Sequence, residues 1–107
     1  MPADKGNRYN QDKPKISMVL EAPDAITGCA RVLMHGEQKY ARNNWKKGLP
    51  LTEIVDSLER HTLAFLNGEE TDVESGLPHV DHILCNALFL SQLWHTRGDC
   101  DDRETRG

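Results

Sequence analysis

Residues 77–96 read LPHVDHILCNALFLSQLWHT, and the spacing of their apolar residues decides the fold. Placed on a wheel at about 100° per residue, Ile83, Ala87, Phe89, Leu90, Leu93 and Trp94 line one stripe. This predicts a helix over 77–96, with Pro78 in its first turn and Ser75 as its cap. Two earlier segments carry the same period. Over 51–67 the face is Leu51, Ile54, Val55, Leu58, Phe65 and Leu66, with Thr52 to cap the helix and Asn67-Gly68 to stop it. Over 23–41 it is Ala22, Ala25, Ile26, Cys29, Ala30, Leu33 and Tyr40, with Pro23 near the start. Few stretches alternate as strands do. The expected fold is all-α, a small helical bundle of three main helices. An extended N-terminal arm carries the apolar patch Ile16, Met18, Val19 and Leu20. Residues 98–107, GDCDDRETRG, read as a charged, disordered tail, which leaves 1–97 as the domain. Three long helices in so short a chain leave apolar surface over. A homo-oligomer, a dimer or tetramer, would complete the bundle.

With 107 residues and 37% hydrophobic content, the chain makes one small domain around one core. It lacks an apolar run of the roughly 18 residues a membrane span needs, and no signal peptide opens it. Cys29, Cys85 and Cys100 lack CxxC spacing, which argues against a disulfide framework or zinc ribbon and for a reducing cytoplasm. Thirteen Lys+Arg against seventeen Asp+Glu give a net charge of −4, which disfavours duplex nucleic acid as a partner. The charge is uneven. Residues 1–50 hold nine basic and five acidic residues, and residues 51–107 hold four and twelve. A basic half beside an acidic half suits a phosphate-rich ligand joined to carboxylates through metal ions, although ordinary surface variation gives the same pattern.

Several polar residues sit where apolar ones are expected. His79, His82 and Asn86 fall inside the third stripe at i, i+3 and i+7, and Glu37 falls inside the first. A buried carboxylate needs a partner or a metal, so Glu37, His79 and His82 are expected to share one polar pocket, either as ligands or as a structural network. On the second helix Glu53, Asp56 and Arg60 form a stripe opposite the apolar face. The Glu53-x-x-Asp56 spacing stacks two carboxylates one turn apart, which can hold Mg²⁺ or Mn²⁺ or simply be a solvated face. In KYARNNWKKG (39–48), Lys39, Asn44 and Trp45 combine groups that hold phosphates and stack on a base. The same residues also suit a helix end plugged by Trp45.

Taken in order, the motifs resemble a known family. They are Arg8-x-Asn10-x-x-Lys13-Pro14, then Gly36-x-x-Lys39-Tyr40-x-x-x-Asn44-Trp45, then Asp56-x-x-x-Arg60-His61, and finally GExxDxESGxxHxxH from Gly68 to His82. The series, spanning about residues 6–95, is similar to the phage-type dATP/dGTP diphosphohydrolase N-terminal domain, a relative of the MazG-like all-α nucleoside triphosphate pyrophosphohydrolases. The resemblance implies metal-dependent hydrolysis of a purine deoxynucleoside triphosphate to monophosphate and pyrophosphate, with Mg²⁺ or Mn²⁺, in the cytoplasm of a phage-infected bacterium. The wider superfamily holds its metals with ExxE on one helix and ExxD on another. Glu53-x-x-Asp56 matches one element, and His79-x-x-His82 stands where the other is expected. Alternatively Glu37 supplies the first element, with Met34 in place of its second acid, and Glu53/Asp56 the second.

On this resemblance Glu53, Asp56, His79 and His82 are the catalytic set, and with Glu37 they are also the metal set. Lys13, Lys39 and Arg60 are assigned to the triphosphate, Asn44 and Trp45 to the base, and His61 to substrate through its place in the third motif. Asn86 would orient His82. The competing expectations are a non-catalytic nucleotide-binding module, a plain structural bundle, and an HD-type phosphohydrolase built on His61, His79, Asp81 and His82. The last needs an inward Asp81, which the wheel turns outward.

Overall fold

The computed structural model describes residues 6–9 and 11–104. Three helices carry the chain: α1, Pro23–Lys39; α2, Leu51–Leu66; and α3, His79–Thr96. Short 3₁₀ segments at Ile16–Glu21, Asn44–Lys47 and Gly98–Cys100 flank them, and no strand is present among the described residues. The fold is all-α, as expected from the three periodic segments. Asn10 of the first motif and residues 105–107 of the tail lie outside the described residues.

α3 packs against both of the other helices. Against α2 it builds the core: Leu51, Ile54, Leu93 and Cys100 are buried, with Trp45, Leu49, Phe89 and Leu90 packed around them. Against α1 the contact is a closer, small-residue seam. Gly28 and Cys29 are the buried residues of α1, and the Cys29 and Cys85 thiols meet across it. Burial pushes the Cys85 thiol up to about 12, so this is a packed, unreactive pair. A methyl group on Gly28 would overlap the Asp81 carboxylate. Asp81 is therefore turned toward α1 rather than outward, because α1 passes close enough to present bare backbone there.

Pro23 opens α1 at its first turn, where its missing N–H costs nothing. α3 begins one residue after Pro78, which stands at its N-cap. Thr52 lies inside α2 and does not cap it; its backbone N–H and hydroxyl instead donate to the Asp102 carboxylate at 3.0 and 2.5 Å. Asp102 belongs to the acidic C-terminal stretch. With Cys100 buried in the core and Arg97 donating to the Lys47 carbonyl at 2.9 Å, residues 98–104 pack onto α2 and the 44–47 turn. Composition hid this, because one apolar residue and one capping carboxylate are enough to dock a short segment. Phe65, Leu66 and Trp94, expected on inward stripes, are exposed, since the α2–α3 seam closes around Leu51, Ile54 and Leu93.

Leu93 is the largest fully buried side chain together with Cys85. Leu93→Ala should destabilise the chain by about 2–5 kcal/mol, read from urea unfolding. A loss under about 1 kcal/mol would contradict the central place given to α3.

Candidate metal centre and cleft

The end of α2 sets the site. Gly68, at φ 90°, takes a backbone conformation that a side chain would strain. Its N–H bonds to the Phe65 carbonyl and the Glu69 N–H to that of Ala64, each at 3.0 Å. This pair of bonds is a Schellman stop. It turns the chain back on itself, so that Glu69 faces the start of α3. Residues 70–79 then close a tight return. Asp72 N–H bonds to the Leu77 carbonyl at 2.8 Å, His79 N–H to that of Glu70 at 2.9 Å, and Thr71 pairs with Pro78. Within it, Ser75 N–H donates to Asp72 Oδ2 at 2.8 Å, and Gly76 turns at φ 72°.

These constraints bring His61 of α2, Asp72 of the return and His79 of α3 together. One potential ligand atom from each lies within 4.8 Å of the others, a group that can hold a metal ion. His79 is 3% exposed, the one buried polar residue among those described. Its Nε2–H donates to Glu69 Oε2 at 2.9 Å, leaving Nδ1 to face His61 Nδ1 at 2.8 Å. A carboxylate on the far nitrogen of a ligating imidazole is the usual support that fixes tautomer and ring orientation. His82 stacks on His61, with ring centroids 4.4 Å apart and planes 5° apart, and its Nε2 meets the Ser75 hydroxyl at 2.7 Å. Asn86 donates from Nδ2 to the His82 carbonyl at 2.9 Å, tying it to the backbone of α3.

Burial, with the positive potential of neighbouring imidazoles, lowers the pKa of His61. Burial also lowers that of His82, against the pull of Asp72. Burial works to raise Asp72, but hydrogen bonds from Ser75 and the nearby imidazoles hold it below its usual value. Neutral imidazoles beside an ionised carboxylate are the protonation states a cation requires.

The group opens into a cleft of about 820 Å³ between α1 and the α2–α3 pair. His61, Asp72, His82 and Asn86 line it from one side, and Glu37, Lys39, Arg42, Asn44 and Trp45 from the other. Trp45 stacks on Phe89 with centroids 4.7 Å apart, so it both plugs the core and walls the cleft. Lys39 spans the opening to Glu74 at 2.6 Å. Glu37 is exposed on α1 and shares the cleft with His82, while the partners of His79 are Glu69 and His61. Glu53, Asp56 and Arg60 sit on the exposed face of α2, and Lys13 on the exposed arm; none of them lines the cleft. Burying Leu51 and Ile54 turns the Glu53/Asp56 stripe away from α3. From sequence, Glu69, Asp72 and Ser75 are fixed positions of the Gly68–His82 motif, with no role in the site assigned to them. The Asn67-Gly68 stop was the available signal, since a Schellman turn returns the next residues to the adjacent helix.

The model of the family described as dATP/dGTP diphosphohydrolase, N-terminal, matches residues 3–103. A curated relative from Salmonella phage PMBT28, named dATP/dGTP diphosphohydrolase, is 36% identical over 98 residues. The match covers 92% of this chain and 33% of the relative, so the chain spans about a third of that protein's length. No solved structure matches.

The lowered His61 and His82 pKa values set the pH dependence of stability. Below their unfolded value of about 6.5 the unfolded chain binds more protons than the folded one, so stability falls as pH falls. In chelator, the thermal midpoint should drop between pH 7.5 and 5.5; a midpoint that held or rose would contradict the burial of neutral imidazoles.

Proposed function

We propose, on the premise that the chain belongs to the dATP/dGTP diphosphohydrolase N-terminal family, that it carries the metal centre and nucleotide cleft of a purine deoxynucleoside triphosphate pyrophosphohydrolase. The reaction is attack of water on the α-phosphorus of dATP or dGTP, giving the monophosphate and pyrophosphate, within a phage-infected bacterium. The observation that supports it most is the His61/Asp72/His79 group, of which His61 and Asp72 line one wall of a cleft and His79 is buried beside them, with Lys39, Arg42, Asn44 and Trp45 on the other wall.

Two imidazoles and one carboxylate fit a divalent transition ion. Mn²⁺ suits this donor set better than Mg²⁺, which prefers oxygen ligands throughout. His61, Asp72 and His79 would hold the ion, which would supply charge neutralisation at the phosphate oxygens and lower the pKa of a bound water. Glu69 holds the His79 ring in the tautomer that leaves Nδ1 free to ligate. His82, neutral and tied to Ser75, accepts a proton from the attacking water. Lys39 exchanges Glu74 for a phosphate oxygen. Trp45, backed by Phe89, offers a face to the purine, and Asn44 an edge. Glu37 faces the same space as a further carboxylate. Glu53, Asp56, Arg60 and Lys13 join a site only where a second subunit brings them to it.

Pyrophosphate release from the four dNTPs, with Mn²⁺, Mg²⁺ or chelator, tests the reading. Release from dATP or dGTP should require the ion and vanish in His61→Ala and Asp72→Ala. In Glu69→Ala it should fall about 10- to 100-fold. Release that survives Asp72→Ala but is lost in Asp56→Ala would move the metal to the outer face of α2. No release from any dNTP would leave a nucleotide-binding module and overturn the catalytic assignment.

A further inference from the structure

One turn of α1 separates His35 from Lys39, and Arg42 follows three residues beyond the helix end. All three line the same cleft as His61, Asp72 and His82. Among the described residues that line it, Lys39 and Arg42 are the only Lys or Arg. His35 is half-buried and Arg42 exposed, and neither forms an ion pair with a described residue. Lys39 does: its Nζ donates to Glu74 Oε1 at 2.6 Å, across the mouth of the cleft. Lys39 holds the Glu74 carboxyl below its usual range, and the charge of His35 adds to this. Glu74 therefore answers two of the three basic groups on that wall. It stands two residues from Asp72 and one from Ser75, whose bond to each other pins this part of the return.

We infer that His35, Lys39 and Arg42 seat the pyrophosphate half of the nucleotide, and that Glu74 is a tethered carboxylate that fills this seat when the cleft is empty. The inference rests on the nucleotide cleft proposed above. An ion at His61, Asp72 and His79 fixes where the α-phosphate lies, so the β- and γ-phosphates need cations elsewhere in the cleft, and only the α1 wall has them. His35 and Lys39 are about 6 Å apart along the helix axis, a separation that two adjacent phosphate groups bridge. The Arg42 guanidinium adds a two-pronged donor. The C-terminal end of α1 opposes an anion with about half an elementary charge, which two full cations outweigh. Glu37 shares the wall, so Glu37 and Glu74 together cancel Lys39 and Arg42 in the empty cleft. An exposed ion pair is weak, and a polyphosphate carrying several charges displaces Glu74 from Lys39. After hydrolysis Glu74 competes with pyrophosphate for the same ammonium and shortens its stay.

Calorimetry with Mn²⁺ and the α,β-methylene analogues of dATP and dGTP, which keep all three phosphates but resist cleavage, tests this apart from turnover. Thermal melting confirms that each variant is folded. Arg42→Ala and His35→Ala should each weaken binding of the analogues about tenfold or more, and binding of dAMP and dGMP by less than about threefold. Glu74→Gln should tighten the analogues and inorganic pyrophosphate by about two- to fivefold. In a Lys39→Ala background that gain should be lost, because the carboxylate then has no ammonium to occupy. Analogues that do not bind, equal losses for analogue and monophosphate, or a Glu74→Gln change that brings no gain or a gain that persists without Lys39 would each overturn the inference. The expected shifts without pyrophosphate release from any dNTP would leave the seat standing and sink the catalytic reading instead.

Discussion

An imidazole buried where α2 and α3 converge constrains the rest of the site. His79 is 3% exposed, and a buried ring needs a partner for each nitrogen, because an unpaired polar group there costs about 1–3 kcal/mol. Its Nε2 is met by Glu69, which reaches it only because Gly68 stops α2 in a Schellman turn. Its Nδ1 is met by His61, one turn and a half before the end of α2. The tight return between the helices, pinned through Asp72, Ser75 and Gly76, then has little freedom left. Two nitrogens 2.8 Å apart with a carboxylate beside them share a proton in the free chain, and a cation can take that proton's place.

The helices were legible in the sequence because each has a clear apolar period, and their bounds differ from expectation by two residues or fewer. The polar residues at inward positions were legible for the same reason: His79 is buried and His82 half-buried. What the wheel could not show was which residues answer them. Glu37 was an expected partner by angle alone, yet α1 meets α3 through Gly28 and Cys29 near its start, so Glu37 reaches the cleft and not the buried ring. The actual partners come from the 68–78 return. There, position depends on positive-φ glycines and side-chain-to-backbone bonds, and no hydrophobic period reports them. The docking of residues 98–104 was hidden likewise, since it rests on Cys100 and on Asp102 bonding to Thr52.

The family match covers nearly all of the chain, while the chain covers a third of its phage relative. The structure accounts for why such a region holds together as a unit: one helix, α3, serves the core on one side and the His61/Asp72/His79 group at its first turn. It also accounts for the conspicuous string from Gly68 to His82. Glu69, Asp72, Ser75, His79 and His82 are joined, through His61, in one hydrogen-bonded and stacked cluster, so the string orders a set of polar side chains as well as a turn.

The most direct test of that cluster is pulsed EPR of bound Mn²⁺, with the histidines labelled by ¹⁵N. Coupling to two imidazole nitrogens is predicted in the wild type. One coupling should be lost in His61→Ala and one in His79→Ala, and both retained in Glu53→Ala and Asp56→Ala. A bound ion without nitrogen coupling, or one released by Asp56→Ala and not by His61→Ala, would contradict the account.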